Sequence, residues 1–113
     1  MDFDNLIHKG IMDNDRWINQ PLAMQMGNIG SEIAKLKHWK DQQNEKNMEA
    51  AWDRALELID LTVYGLQKKN LSAPMREVLR LREVFCDYAG DFGFYDVSGE
   101  ELIDYCTEFM LIA

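Results

Sequence analysis

The stretch "EKNMEAAWDRALELIDLTVYGLQK", residues 45–68, decides the fold. Met48, Trp52, Ala55, Ile59, Thr62 and Leu66 follow one another in alternating steps of four and three, with Ala51, Leu56, Leu58 and Val63 beside them. That spacing draws one continuous apolar stripe along an α-helix and is too long and too regular for a strand. It predicts a helix over about 45–68 whose stripe must be covered by other helices.

Working outward, the segment before it predicts a helix from about Pro21 to Lys40, with Pro21 in the first turn and Asn19 or Gln20 as its cap. Leu22, Met26, Ile29, Ile33 and Leu36 form its large-apolar face, and Ala23, Gly27, Gly30 and Ala34 form a second row of small residues. Glycine inside a helix costs ~1 kcal/mol relative to alanine, so that row points to a close approach by the N-terminal arm or by a second subunit. The alternative is that the glycines are tolerated, or that the helix breaks there.

After residue 68, "NLSAP" predicts a helix start with Ser72 as cap and Pro74 in the first turn, and the helix runs to about Ala89, before Gly90. A loop, "GDFGFYDV", leads to Ser98, which with Glu101 makes an S-x-x-E capping box. Leu102, Tyr105, Cys106, Phe109 and Met110 give the last helix its stripe. No alternating β-branched run and no internal repeat is present. Short connections favour antiparallel neighbours. The expected fold is therefore all-α: an up-down-up-down four-helix bundle over residues 20–113. Residues 1–19 form an N-terminal arm that carries Phe3, Leu6, Ile7, Ile11, Met12 and Trp17 and docks on the bundle or on a partner.

A chain of 113 residues is most simply one domain. Its 47% hydrophobic and 28% charged residues place it among globular proteins rather than disordered or membrane-embedded ones. No apolar run approaches the ~20 residues of a membrane span, and the acidic start "MDFDNL" lacks the basic flank of a signal peptide, so the expected location is cytoplasmic. A net charge of -8 opposes binding to nucleic acid or anionic membrane. The basic turn "KLKHWK", residues 35–40, reads as compensation of a helix dipole. Cys86 and Cys106 have no CxxC and no histidine at ligand spacing, and read as free thiols in a reducing compartment.

In "LRLREVFCDY", residues 79–88, Arg82 points from the middle of the face formed by Leu79, Leu81, Phe85, Cys86 and Tyr88. Its stem could snorkel to water. If buried, it needs carboxylates. The candidates form an interhelical polar cluster with Glu32, Asp60 and Arg82 at its centre and Gln25, Glu83 and Asp87 around it. Such a cluster either fixes helix register or forms a ligand or metal pocket.

The pair Glu57 and Asp60 in "ELID" resembles the ExxD half of the all-α nucleotide pyrophosphatases of the MazG type, which hold Mg²⁺ against a triphosphate. That resemblance implies a Mg²⁺ ligand set of Glu32, Glu57, Asp60, Glu83 and Asp87. The ExxE half is missing, because Lys35 stands three residues after Glu32. Neither histidine follows a glutamate at di-iron spacing, and no nucleophile motif is present, so His8 and His38 read as surface residues.

The run "RWINQPLAMQMGNIGSEIAKLKHW", with "RALELIDLTV" and "LRLREVFCDY", resembles a family of small, uncharacterised prokaryotic all-helical proteins, over roughly residues 16–110. More remotely, a short bundle of this size is similar to HEPN domains, which act as ribonucleases or as partners of small nucleotidyltransferases. No arginine here has a histidine four to six residues on, as the ribonuclease branch does, so the resemblance implies a non-catalytic partner.

The expected function is a non-enzymatic helical-bundle module for interaction or small-ligand binding, without a cofactor. The alternatives are the Mg²⁺-dependent pyrophosphatase and the HEPN-type partner. A homodimer is expected from Leu61, placed with Tyr64 on an exposed reverse face, and a protein partner is the other possibility.

Overall fold

The computed structural model describes residues 14–112, all of whose regular elements are α-helices. They are α1 (Asn14–Ile18), α2 (Leu22–Asp41), α3 (Glu45–Lys68), α4 (Ser72–Gly90) and α5 (Gly99–Ile112). None of these helices is long and apolar enough to cross a membrane. Of the expected arm, only α1 and the short turn after it are described; Phe3, Leu6, Ile7, His8, Ile11 and Met12 lie outside the described residues.

The helix ends follow local chemistry, with three departures from expectation. Pro21 is not in the first turn of α2 but caps it in an extended conformation (φ -56°, ψ 142°), and no side chain caps that end. The Pro21 carbonyl instead accepts from the backbone of Met24 at 3.0 Å and Gln25 at 3.1 Å. Ser72 is likewise already helical: Leu71 is the cap residue of α4, again with no side-chain hydrogen bond. The capping box of α5 forms as read, Ser98 Oγ accepting from the Glu101 N–H at 3.1 Å and Glu101 Oε1 from the Ser98 N–H at 3.3 Å. The third departure is at the C-termini. Gln43, Asn70 and Asp91 all adopt the left-handed conformation (φ 57°, 57° and 55°) without being glycine. Each terminates a Schellman motif, in which Asn44, Leu71 and Phe92 donate back to the carbonyls of Trp39, Leu66 and Asp87.

α2 is the central element, packed along α3 on one side and α5 on the other, while α3 also carries α4 and α1. Its Met26, Ile29, Ile33 and Leu36 are fully buried with Ala55 and Ile59 of α3, Val78 and Phe85 of α4, and Leu102 and Cys106 of α5. The side chain of Met110, read into the same α5 stripe, lies outside the described residues. One member of the small-residue row of α2, Gly30, lies close against α5. A Cβ at Gly30 would stand 3.0 Å from the Cβ of Cys106.

α1 packs on α3 at the margin of its apolar stripe. The Trp17 indole N–H donates to Thr62 Oγ1 at 3.1 Å, and that hydroxyl donates to the Leu58 carbonyl at 2.8 Å. The carbonyls at the end of α1, which a five-residue helix leaves open, accept from Gln25 Nε2 at 2.7 Å (Trp17) and from Lys69 Nζ at 2.7 Å (Ile18). A Cβ on Gly65 would lie 3.1 Å from Ile18, so the glycine lets α1 sit down on α3. Leu61 lies one turn before Gly65 on this face and is 2% exposed. It is not the exposed dimer residue the helix wheel made it.

Candidate functional site

The six residues read as one polar cluster are distributed over separate partners. Arg82 Nε donates to Asp60 Oδ1 at 2.8 Å, with the Arg82 side chain 41% and the Asp60 side chain 17% exposed. The arginine stem crosses the apolar face and delivers its head to the edge, where the hydrogen bond to Asp60 raises the pKa of the guanidinium. Gln25 serves the Trp17 carbonyl. Glu32 takes Lys35 of its own helix at 3.2 Å through Oε1, while its Oε2 is buried without a hydrogen-bond partner. Glu83 and Asp87 belong to the far end of α4. Among the described residues no group of three acidic, His or Cys side chains could hold a metal ion, so Glu32, Glu57, Asp60, Glu83 and Asp87 are not gathered into a ligand set.

The two thiols, Cys86 of α4 and Cys106 of α5, stand on different helices. Both are free, and burial pushes the Cys106 thiol up to about 12. Tyr105 is also pushed up to about 12, by burial first and then by its hydrogen bond to Glu77.

What α4 does build is an aromatic loop. Residues 91–98 connect α4 to α5, and within four positions they expose Phe92 (62%), Phe94 (83%) and Tyr95 (39%). The loop is fastened at several points. The buried Asp87 carboxylate accepts from two successive backbone amides, Phe94 N–H to Oδ1 at 2.8 Å and Tyr95 N–H to Oδ2 at 3.1 Å. The Asp87 carbonyl accepts from Phe92 N–H at 3.1 Å. Phe92 folds back over Gly90, leaving no room there for a Cβ. Asp91 binds Lys40 at 2.6 Å, and the same ammonium lies 5.5 Å from the Tyr88 ring centroid. A hydrogen bond from the Tyr95 hydroxyl to Glu83 raises the tyrosine pKa. The basic turn at the end of α2 thus works as an anchor for this loop, Lys37 also standing 3.9 Å from Glu100.

Tyr95 divides two grooves. One, of about 440 Å³, is lined by Glu83, Cys86, Asp87, Phe92 and Phe94. The other, of about 350 Å³, runs between α4 and α5 over Leu81, Val84, Val97, Leu102 and Tyr105, with Glu77, Arg80 and Glu101 also lining it. The chemistry on offer is apolar area and ring faces, with carboxylates and the Arg80 guanidinium beside them, on a backbone tied to Asp87.

Comparison with protein-family models, with curated proteins and with solved structures finds no match. The functional reading therefore rests on the residues themselves. Reading the sequence as helices passed over "GDFGFYDV" as a connection, although three aromatics in four loop positions have no periodicity to bury them. A second signal lay beside it. All twelve Lys and Arg residues fall at or before Arg82, together with twelve of the twenty acids; residues 83–113 hold the other eight acids and no cation.

Proposed function

We propose that this chain is a non-enzymatic interaction module and that the α4–α5 loop is the surface it presents to a protein partner. The observation that carries the reading is the exposure of Phe92, Phe94 and Tyr95 on a backbone fastened by Asp87. Large exposed aromatics cost solubility unless they are used. A rigid aromatic anchor loses little conformational entropy on binding, which is why such residues dominate interface energetics.

The four long helices then form the supporting up-down-up-down bundle, for which the three-residue linkers 42–44 and 69–71 argue, and α1 packs on α3. Two free cysteines suit a cytoplasmic setting. A homodimer through the loop is disfavoured, since it would bring two cation-free acidic segments together. A non-catalytic HEPN-type partner of a nucleotidyltransferase is one form that such a module takes.

The test is a photo-crosslinking phenylalanine analogue at position 94 and, as control, at exposed position 53 on α3, irradiated in cells of the source organism. A discrete adduct from position 94 alone is expected. Equal or absent adducts at both positions would overturn the reading.

A further inference from the structure

We infer that the partner segment seated on the α4–α5 loop is cationic and amphipathic, with Lys or Arg side chains laid over the exposed rings and apolar side chains entering the grooves beside Tyr95. The inference rests on the interaction reading above and adds the partner's chemistry.

Charge complementarity carries it. The first 82 residues hold twelve acids and twelve cations, so the entire formal charge of -8 falls on residues 83–113, whose described part comprises the last turns of α4, the loop and α5. Exposed Glu83, Asp91, Asp96, Glu100 and Asp104 accompany the aromatics, and no Lys, Arg or His follows Arg82 in the chain. Some of these carboxylates are engaged within the protein: Asp91 with Lys40, and Glu83 with the Tyr95 hydroxyl. Lys37, Lys40 and Arg80 stand on the same side of the fold, the two lysines paired with Asp41, Glu100 and Asp91, and Glu77, Glu83, Asp96, Glu101 and Asp104 leave acids in excess there. That excess steers a cationic segment in and disfavours nucleic acid, anionic lipid and a second copy of the same face.

The rings favour the same partner. The face of an aromatic ring is the negative end of its quadrupole, and Phe94 is the most exposed large hydrophobic residue described. The protein already contains one instance of the recognition geometry on this side of the fold. Lys40 places its ammonium 5.5 Å from the centroid of Tyr88 and 2.6 Å from the carboxylate of Asp91. An incoming Arg or Lys over Phe94, with a neighbouring acid, repeats that pairing of ring and carboxylate with a cation supplied by the partner.

The test titrates the full chain, by amide NMR, with an amphipathic peptide of leucine and arginine and with its leucine and glutamate counterpart of equal length. The arginine peptide should shift the amides of residues 83–97, weaken with added salt, and lose about tenfold in affinity on Phe94→Ala, a change that leaves every charge in place. The glutamate peptide should leave the spectrum unchanged. Because Phe94 is exposed, the variant should keep the parental melting curve, and the comparison is made between proteins of matched stability.

Equal affinity of the Phe94→Ala variant would overturn the inference by reducing the binding to diffuse attraction between charges. So would binding of the glutamate peptide, or no shift at millimolar arginine peptide. If position 94 still crosslinks a discrete partner in cells while the peptide result fails, the loop is an interaction site of a different chemistry. If both fail, the interaction reading falls with it.

Discussion

The indole N–H of Trp17 donates to the hydroxyl of Thr62 across 45 positions of sequence, at 3.1 Å and inside the core. This bond joins the helical end of the N-terminal arm to the C-terminal half of α3. Thr62→Val keeps the shape and removes the acceptor, leaving a buried donor without a partner. The expected cost is ~1–3 kcal/mol in chemical denaturation. An unchanged midpoint would mean that α1 is not held on α3 as described.

Arg82 and Asp60 form a pair at the edge of the fold, and an ion pair open to water contributes about 0–1 kcal/mol. Arg82→Met and Asp60→Ala should therefore each cost less than ~1 kcal/mol, with a coupling of the same size in a double-mutant cycle. Glu32→Ala should strand no cation, because its partner Lys35 is 59% exposed. Losses of several kcal/mol in these variants would restore a buried cluster around Arg82.

Gln43 ends α2 in the left-handed conformation at φ 57°. A side chain with a Cβ is strained there, and glutamine has no short polar group to relieve it as asparagine or aspartate does. Gln43→Gly removes that strain, while the added freedom of the unfolded chain returns part of the gain. A net stabilisation of roughly 0.5–1 kcal/mol is expected by urea denaturation. Destabilisation would contradict the assigned helix end.

Stability should fall on the alkaline side. The Cys106 thiol, ordinarily at 9.0, and the Tyr105 hydroxyl, ordinarily at 10.0, are both held at about 12 in the folded protein, chiefly by burial. Their contribution is complete below pH 9.0, where both states keep the protons. Between pH 9.0 and about 12 the unfolded chain binds fewer protons than the folded one, so stability is lost as pH rises. Denaturation midpoints at pH 8 and pH 11 check the sign, and Tyr105→Phe should flatten the slope. A midpoint that rises with pH would contradict the burial of both groups.

Much of the fold was legible because its signals are periodic or local. The four-and-three spacing in α3 needs only the helix repeat, and the box of Ser98 and Glu101 only adjacent residues. α1 was not legible: five residues contain no period, and the burial of Trp17 depends on Thr62, far away in the chain. A helix wheel places Cα atoms, so it put Arg82 in the centre of a face while the long stem carries the charge to the rim. It also left Leu61 exposed, because nothing in α3 itself announces that α1 packs on it. The loop site was missed for the opposite reason. Its aromatics matter because they are not buried, and a search for core stripes passes over them. Asp87 was read into the periphery of the polar cluster, but that its two oxygens would take two loop amides follows only from the turn after the helix.

Amide hydrogen exchange at Phe94 and Tyr95 tests the central claim, a loop held ready by Asp87, most directly. Both N–H groups belong to exposed residues, yet each donates to a buried carboxylate. They should exchange far more slowly than the neighbouring amides of the loop, and Asp87→Ala should bring both to the rate of an open chain while α2 and α3 keep their protection. Open-chain rates at Phe94 and Tyr95 in the unaltered protein would contradict the account, since the aromatic surface would then have no fixed shape to offer.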